Sequence, residues 1–255
     1  MTLAFATETL TAWPAAGPPL VLLHPLGVDR TFWRPVLPLL RGRPLVLVDL
    51  PGHGRSAAPA TPYTIVELAD GLASVLRREH RTVDLVGASL GGLVAQALAA
   101  RHPDLVGRLA LVDTVAVYPD EMRAGWRTRA GRARATGLAD LVEPTVATWF
   151  TDREGALAAA LRAGLLATDP VGYAGACDAL AAADTRADCR LITAPTLVVC
   201  GIDDGPAFTA AARWFAATLS GSRLAWLPGR HAAVLEHPRH FCDELLGFLA
   251  DAPHA

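Results

Sequence analysis

The chain contains no lysine, so its 23 basic residues other than histidine are all arginine. Without lysine, neither a phosphate-binding P-loop nor a Schiff-base mechanism is available. The four cysteines show neither C-x-x-C spacing nor a pattern with the histidines that would bind a metal ion. They are Cys177, Cys189, Cys200 and Cys242. We therefore expect no metal site and no cofactor, and a cytoplasmic protein whose thiols stay reduced.

Long apolar segments and an excess of charge are missing as well. No apolar run reaches the roughly 20 residues that a membrane-spanning helix requires. Residues 1–8 lack the basic segment that precedes the apolar part of a secretory signal. The formal net charge of −2 gives no reason to expect nucleic acid as a partner. We predict a protein that binds neither membranes nor nucleic acids, and nothing in the sequence indicates an oligomer.

What the chain does contain is enough apolar material for one large core. It has 255 residues, of which 52% are hydrophobic, and a sheet wrapped by helices can reach this length as a single domain. Short apolar runs alternate with helix-length stretches, a pattern typical of a mostly parallel sheet with helices on both faces. The strand candidates lie at residues 20–24, 45–49, 83–87, 108–112, 196–200 and 223–227. The predicted fold class is α/β, with Pro238 opening a final amphipathic helix.

Residues 115–186 differ from the rest of the chain because they contain helix-like segments and no good strand candidate. The expected helix breaks in this segment are Gly131, Gly137, Pro144, Gly155 and Asp169-Pro170. We predict an α/β core formed by residues 1–114 and 187–255. Residues 115–186 would then be a helical cap, or lid, inserted in that core.

The most informative motif is a serine between glycines, Gly87-Ala88-Ser89-Leu90-Gly91. An apolar run ends before Ser89 and helical spacing begins after it, so the serine falls at a strand-to-helix junction. In a G-x-S-x-G elbow the glycines remove side chains that would collide in the tight turn. The helix that follows directs free N–H groups towards a developing oxyanion. Ser89 is therefore a candidate nucleophile.

A nucleophilic serine needs a base, and the base needs an orienting acid. The strand candidate at 196–200 leads into Gly201-Ile202-Asp203-Asp204, and the one at 223–227 is followed by His231 in a glycine-containing loop. Residues just past the carboxyl ends of parallel strands lie at the ligand-binding edge of the sheet. Asp113, which follows the strand candidate at 108–112, is a further candidate acid beside Asp203 and Asp204.

In these features the chain resembles the α/β-hydrolase fold superfamily over nearly its whole length. Residues 21–27 are similar to the superfamily's oxyanion loop, and residues 48–56 are similar to its D-x-P-G-x-G-x-S turn. Within the superfamily, the chain most resembles the 3-oxoadipate enol-lactonases. That resemblance is carried by residues 147–150, 166–175, 192–199 and 236–238, together with His231.

The resemblance implies a catalytic triad: Ser89 as the nucleophile, His231 as the general base and then acid, and Asp204 as the carboxylate that orients the imidazole. The G-x-x-D spacing from Gly201 fits the family pattern and favours Asp204 over Asp203 and Asp113.

The resemblance also implies an oxyanion hole made by the backbone N–H groups of Leu26 and Leu90. Pro25 departs from relatives that have glycine or serine, but the donor belongs to the next residue, so the hole survives a proline that lacks an N–H. His24 and Asp49 are expected to be structural.

The predicted cap should select the substrate. Its first helix is rich in arginine, and Arg123 and Arg127 share a face beside Trp126. The lactone of the resembled family carries a carboxylate, which a guanidinium turned inward would bind in two-point fashion. We expect Arg127 or a neighbour to do this and Trp126 and Trp149 to line the pocket.

The predicted function is a serine hydrolase that cleaves a carboxylic ester or an enol-lactone through an acyl-enzyme, without metal or cofactor. Ser89 argues against the branches of the superfamily that use an aspartate as nucleophile. Two alternatives stay open: a thioesterase or C–C bond hydrolase of a biosynthetic pathway, and a non-catalytic receptor for a small molecule.

Overall fold

A computed structural model describes residues 3–10, 17–40 and 42–251 of the chain. In these residues the central sheet has seven strands in the spatial order β1-β3-β2-β4-β5-β6-β7. All neighbouring pairs are parallel except β1 and β3. The strands are β1 Ala6–Leu10, β2 Leu20–Leu23, β3 Leu45–Asp49, β4 Val83–Ala88, β5 Val106–Val112, β6 Thr196–Gly201 and β7 Arg223–Leu227.

Helices cover the sheet and fill the connections between its parallel strands. They are α1 Ile65–Leu76, α2 Leu90–Arg101, α3 Asp120–Thr136, α4 Ala139–Trp149, α5 Ala156–Ala167, α6 Pro170–Ala182, α7 Arg186–Cys189, α8 Pro206–Thr218, α9 Ala233–Glu236 and α10 Pro238–Ala250. The predicted α/β fold is confirmed, and α10 begins at the predicted Pro238. Among the described residues, no helix is both long enough and apolar enough to cross a membrane.

Strand β1 is the one strand that the apolar pattern did not predict. Its sequence, Ala-Thr-Glu-Thr-Leu, is largely polar, and its three central residues are exposed. It pairs antiparallel with β3 at the edge of the sheet, where it has a partner on one side only. Backbone pairing rather than burial therefore accounts for this strand.

Helices α3 to α6 occupy the segment predicted as a cap, and two of the predicted breaks are wrong. Helix α3 continues through Gly131, which is tolerated in a helix at a cost of about 1 kcal/mol. Pro144 lies inside α4, and buried residues on both sides of it, including Leu141 and Trp149, anchor the helix. Packing of this apolar face outweighs the roughly 3 kcal/mol that an internal proline costs. Gly137, Gly155 and Asp169 do stand at helix ends.

The turn after β3 and helix α6 meet through two glycines. A Cβ atom on Gly52 would lie 2.5 Å from the Cα atom of Gly172, closer than side-chain carbons pack. Asp49 holds the same turn, as expected of a structural residue. Its carboxylate accepts hydrogen bonds from the backbone N–H groups of Arg30, at 2.8 Å, and Arg55, at 3.0 Å. It also forms a buried ion pair with the Arg30 guanidinium.

Two buried histidines lie beneath this turn with their rings 5.2 Å apart. His24 is fully buried, its Nε2 accepts a hydrogen bond from the Leu50 N–H at 2.9 Å, and its Nδ1 donates to the Pro25 carbonyl at 2.7 Å. Burial lowers the pKa of His24 to about 4 and that of His53 to about 3. Both rings are therefore neutral in the folded protein at pH 7, and His24 is structural, as predicted.

The His24 ring is expected to make the protein sensitive to acid. Between about pH 6.5 and pH 4 the unfolded chain protonates this histidine and the folded protein does not, so the free energy of unfolding falls as the pH falls. The contribution of His24 over that range is about 3 kcal/mol. Urea unfolding of the wild type and of His24→Gln, at several pH values, measures it. The wild type should lose more stability than His24→Gln, and equal losses would contradict the assignment. His240→Gln, at an exposed position, is the control.

Candidate active site

Ser89 occupies a strained turn between the end of β4 and the start of α2. Its backbone has φ 51° and ψ −109°, a left-handed conformation that is uncommon outside glycine. A Cβ on Gly91 would lie 2.6 Å from the Leu23 carbonyl oxygen, and a Cβ on Gly87 would clash with the Gly91 backbone. The Thr114 hydroxyl donates to the Ser89 carbonyl at 2.7 Å. The turn thus needs both glycines, and it fixes the serine at the carboxyl edge of the sheet.

Asp204 and His231 are joined directly across the ends of β6 and β7. Nδ1 of His231 lies 2.8 Å from Oδ2 of Asp204, and the Gly205 N–H donates to the other carboxylate oxygen at 2.6 Å. A carboxylate only accepts hydrogen bonds, so the imidazole proton belongs on Nδ1. Nε2 is then left free to accept a proton, as a general base requires.

The His231 ring is buried between aromatic side chains. The rings of Phe208 and Trp149 lie 4.5 Å and 5.5 Å from it. Burial alone would lower the pKa of His231, but the negative charge of Asp204 and the hydrogen bond that the His231 Nδ1–H donates to it outweigh burial and raise the pKa above its ordinary value. Asp204 therefore stabilises the imidazolium form of His231.

Ser89 and His231 line the same cavity, which has a volume of about 330 Å³. Helices α3, α4 and α6 of the predicted cap supply much of its wall, including Trp126, Trp149 and Tyr173. In the described residues no hydrogen bond joins the Ser89 hydroxyl to His231. Catalytic hydrogen bonds of this kind tighten when substrate binds, so the placement suits proton transfer during a reaction.

Asp203 and Asp113, the other two candidate acids, form no hydrogen bond with His231 in the described residues. Asp203 is exposed. Asp113 is buried with φ 43° and accepts a hydrogen bond from the Gly201 N–H at 2.7 Å, while its second oxygen has no partner among the described residues. Burial, and next the negative charge of Asp204, raise the pKa of Asp113 to about 8. Asp204 is therefore the acid that contacts His231, and Asp113 is a mostly protonated neighbour.

Asp113, Cys200 and Asp204 also form the one group of potential metal ligands found in the described residues, with ligand atoms within 4.8 Å of one another. A metal ion binds thiolate and carboxylate, not thiol and carboxylic acid. Burial raises the pKa of the Cys200 thiol well above its usual range, and Asp204 is already bonded to His231. The donor set does not suit a cation.

The predicted oxyanion donors are the backbone N–H groups of Leu26 and Leu90. Leu90 is the first residue of α2, so its N–H has no acceptor within the helix. Leu26 is in the loop after β2 and lines the cavity that contains Ser89. Both N–H groups belong to segments adjoining the elbow, an arrangement that suits an oxyanion hole.

Two of the three predicted cap residues line the cavity and one does not. Trp126 and Trp149 are in its wall. Arg127 is exposed on the outer face of α3, and Arg123 donates to the Ala181 carbonyl at 2.7 Å. Of the predicted alternatives, Arg127 or a neighbour, Arg127 itself does not reach the cavity because it lies on the opposite side of the helix.

Arg129 is the arginine that reaches the cavity. Its guanidinium lies 5.3 Å above the ring of Trp126, and its Nη2 donates to the Thr145 hydroxyl at 2.7 Å. Its Nε is buried without a partner, and in the described chain no carboxylate forms an ion pair with it. Sequence reasoning did not single out Arg129, although Met122, Trp126 and Arg129 recur at the spacing of one helix face.

Comparison with known proteins places this geometry in a family. The family model described as "Alpha/beta hydrolase family" matches residues 20–244. The chain is 28% identical over 244 residues to 3-oxoadipate enol-lactonase 2 of Acinetobacter baylyi, which covers 92% of this chain and 90% of that protein. It is 37% identical over 237 residues to a pimeloyl-[acyl-carrier protein] methyl ester esterase of Chromobacterium violaceum, with 88% and 91% covered.

A solved structure has the same fold as this chain. The crystal structure of the enol-lactonase from Burkholderia xenovorans superposes with a TM-score of 0.91 at 32% identity, covering 98% of this chain and 97% of that one. Fold and site together define a hydrolase of ester or lactone bonds. The chain belongs to the alpha/beta hydrolase family, and the resemblance predicted from its motifs is confirmed.

Proposed function

We propose that the protein hydrolyses a carboxylic ester or an enol-lactone that carries a free carboxylate, through an acyl-enzyme on Ser89. One observation carries the proposal: a single cavity contains Ser89, His231 and the guanidinium of Arg129, which has no carboxylate partner among the described residues. The first two groups suit acyl transfer, and the third suits a substrate with negative charge.

The chemistry follows from the positions of the side chains. His231 Nε2 removes the Ser89 proton as the serine oxygen attacks the carbonyl carbon, and the resulting oxyanion accepts hydrogen bonds from the Leu26 and Leu90 N–H groups. The imidazolium then gives its proton to the leaving oxygen, and the C–O bond breaks. Water, deprotonated by His231, hydrolyses the acyl-enzyme and frees Ser89.

The negative charge of the substrate is inferred from the surroundings of Arg129. A guanidinium enclosed in a cavity without a carboxylate partner loses solvation that an anionic ligand restores. The lactone of the enol-lactonases carries a carboxylate, and two of the similar proteins, from Acinetobacter baylyi and Burkholderia xenovorans, are named for enol-lactone hydrolysis. The Chromobacterium violaceum relative is named for a methyl ester. We therefore infer an anionic enol-lactone or ester as the substrate class.

Labelling with a fluorophosphonate tests the proposed nucleophile. The wild type should be labelled at Ser89, Ser89→Ala should not react, and His231→Ala should react far more slowly because it lacks the base. Ser74→Ala, at an exposed serine on α1, is the control and should be labelled like the wild type. Peptide mass spectrometry locates the label. A folded wild type that stays unlabelled would favour a small-molecule receptor and contradict the proposal.

Hydrolysis rates on a panel of substrates then test the proposed substrate class. An anionic enol-lactone and the monoester of a dicarboxylic acid should be hydrolysed with a higher kcat/KM than a neutral ester of the same size. Faster turnover of an acyl thioester, or of a substrate with a cleavable C–C bond, would replace this function with one of the two other chemistries.

A further inference from the structure

A second cavity adjoins the catalytic one, and among the described residues Trp149 alone lines both. The second cavity has a volume of about 160 Å³ and is bounded on its buried side by apolar groups from the loop after β2, α5 and α9. These include Val28, Phe32, Leu161, Gly164 and Leu235. Trp149 is the residue shared with the catalytic cavity.

Trp149 is held in place on both sides. One edge of its ring packs against Phe32, with the ring centres 6.1 Å apart, and the other side faces His231 at 5.5 Å. Its backbone carbonyl accepts a hydrogen bond from the Ala232 N–H at 3.0 Å. Only 6% of the residue is exposed. The indole is therefore a fixed wall between the two cavities.

The position of Trp149 beside His231 decides which part of the substrate it meets. His231 must protonate the leaving oxygen, so the leaving group lies against His231 and hence against the indole. Under the proposed function the carboxylate of the acyl part pairs instead with Arg129 on α3, whose guanidinium lies over Trp126. Trp149 thus faces the alcohol side of an ester.

We propose that Trp149 sets the length of the leaving alcohol by closing the catalytic cavity off from the second cavity. The inference rests on the proposed function and adds the specificity-determining residue. With the indole in place, the catalytic cavity accepts a lactone or a short alkoxy group. With the indole removed, the two cavities join, and the second one receives the end of a straight alkyl chain.

An alkyl chain suits the second cavity because most of the residues that line it are apolar, and two of its polar residues, Thr31 and Arg34, are exposed at the surface. The Asp29 carboxylate at its rim already accepts a hydrogen bond from the Thr31 N–H at 2.7 Å. Gly164 leaves room within the cavity, since a Cβ placed there would meet only the Val28 side chain at 3.8 Å. A leucine at Gly164 would fill that space.

The experiment compares monoalkyl esters of one dicarboxylic acid, with methyl, butyl and octyl alcohols. The readout is the ratio of kcat/KM for the octyl ester to that for the methyl ester, which is insensitive to the amount of active enzyme. Trp149→Ala should raise this ratio about 10-fold or more, because several methylenes gain an apolar site. Trp149→Phe, with a smaller ring, should raise it less.

Gly164→Leu provides the matched control. In the wild type it should leave the ratio unchanged, because the second cavity is not reached. Combined with Trp149→Ala it should return the ratio towards the wild-type value. A folded Trp149→Ala variant with the wild-type ratio would overturn the proposal, as would a raised ratio that Gly164→Leu does not reduce. Should truncation of this buried ring unfold the protein, Trp149→Leu takes its place under the same criteria.

Binding separates this inference from the proposed function. In a Ser89→Ala background, calorimetry measures the Kd of the octyl monoester with and without Trp149→Ala. Tighter binding on removal of the indole supports the role of Trp149 as the wall between the two cavities. This holds even if the wild type hydrolyses no ester, a result by which the proposed function alone would fail. If the wild type hydrolyses the methyl ester but Trp149→Ala leaves the Kd of the octyl monoester unchanged, only the inference about Trp149 fails.

Discussion

Asp204→Asn is expected to lower kcat for ester or lactone hydrolysis by roughly 10⁴-fold, the loss seen when the acid of a serine triad becomes an amide. The carboxylate bonded to Nδ1 keeps the His231 proton on that nitrogen and leaves Nε2 as the base. An asparagine amide donates to Nδ1 and so favours the opposite tautomer. It also removes the negative charge that raises the pKa of His231. Steady-state kinetics at about pH 7.5 measure the effect.

Asp113→Asn is the matched control for that prediction. Asp113 is as buried as Asp204, but it is mostly protonated at neutral pH and contacts the Gly201 N–H instead of the imidazole. Exchanging a neutral carboxyl for a neutral amide should change kcat by no more than a few-fold. A larger loss in Asp113→Asn than in Asp204→Asn would make Asp113 the orienting acid and contradict the assignment.

The same two aspartates show how far sequence reasoning reaches into the site. Each follows an apolar strand, so the pattern placed both at the carboxyl edge of the sheet, and β5 and β6 confirm those strands. The pattern did not determine which carboxylate faces His231, because that depends on the paths of the loops after β6 and β7. The spacing seen in the resembled family was needed to prefer Asp204.

Local structure was predictable where neighbouring residues determine it, and was missed where contacts between distant segments determine it. The elbow at Ser89 was predictable because its conformation follows from adjacent glycines and from steric collisions. Strand β1 was missed because pairing with β3, and not its own apolar pattern, makes it a strand. Pro144 does not end α4 because buried neighbours hold the helix together.

The predicted cap shows the same limit for side-chain direction. The resemblance to the enol-lactonases implied that an arginine of the arginine-rich first helix meets an anion, but three arginines within seven residues point in different directions. Arg123 is bonded to a carbonyl of α6, Arg127 faces solvent and Arg129 enters the cavity. The orientation of α3 is fixed by its packing against α6, which its own sequence does not encode. An arginine at the cavity was therefore predicted, but which arginine enters the cavity was not.

Arg129→Leu is expected to lower kcat/KM for the monoester of a dicarboxylic acid by about 100-fold, equivalent to roughly 3 kcal/mol for two charge-assisted hydrogen bonds. Most of the loss should fall on KM, because the carboxylate is bound equally before and during reaction. For a neutral methyl ester of the same length the variant should lose little, since no group of that substrate pairs with the guanidinium. The ratio of the two kcat/KM values is the measurement.

Arg127→Leu, two residues away and exposed, makes the same change of charge outside the cavity and should leave both substrates unaffected. This comparison separates direct contact between the guanidinium and the substrate from long-range electrostatic attraction. Loss of long-range attraction would lower kcat/KM for the anionic substrate equally in both variants, and the effect would disappear at high salt. Equal losses on the anionic and the neutral ester in Arg129→Leu would instead assign this residue to the support of Trp126 and Thr145. Because the cavity without its guanidinium is more apolar, a gain in kcat/KM for the neutral ester would be the clearest sign that Arg129 selects for charge.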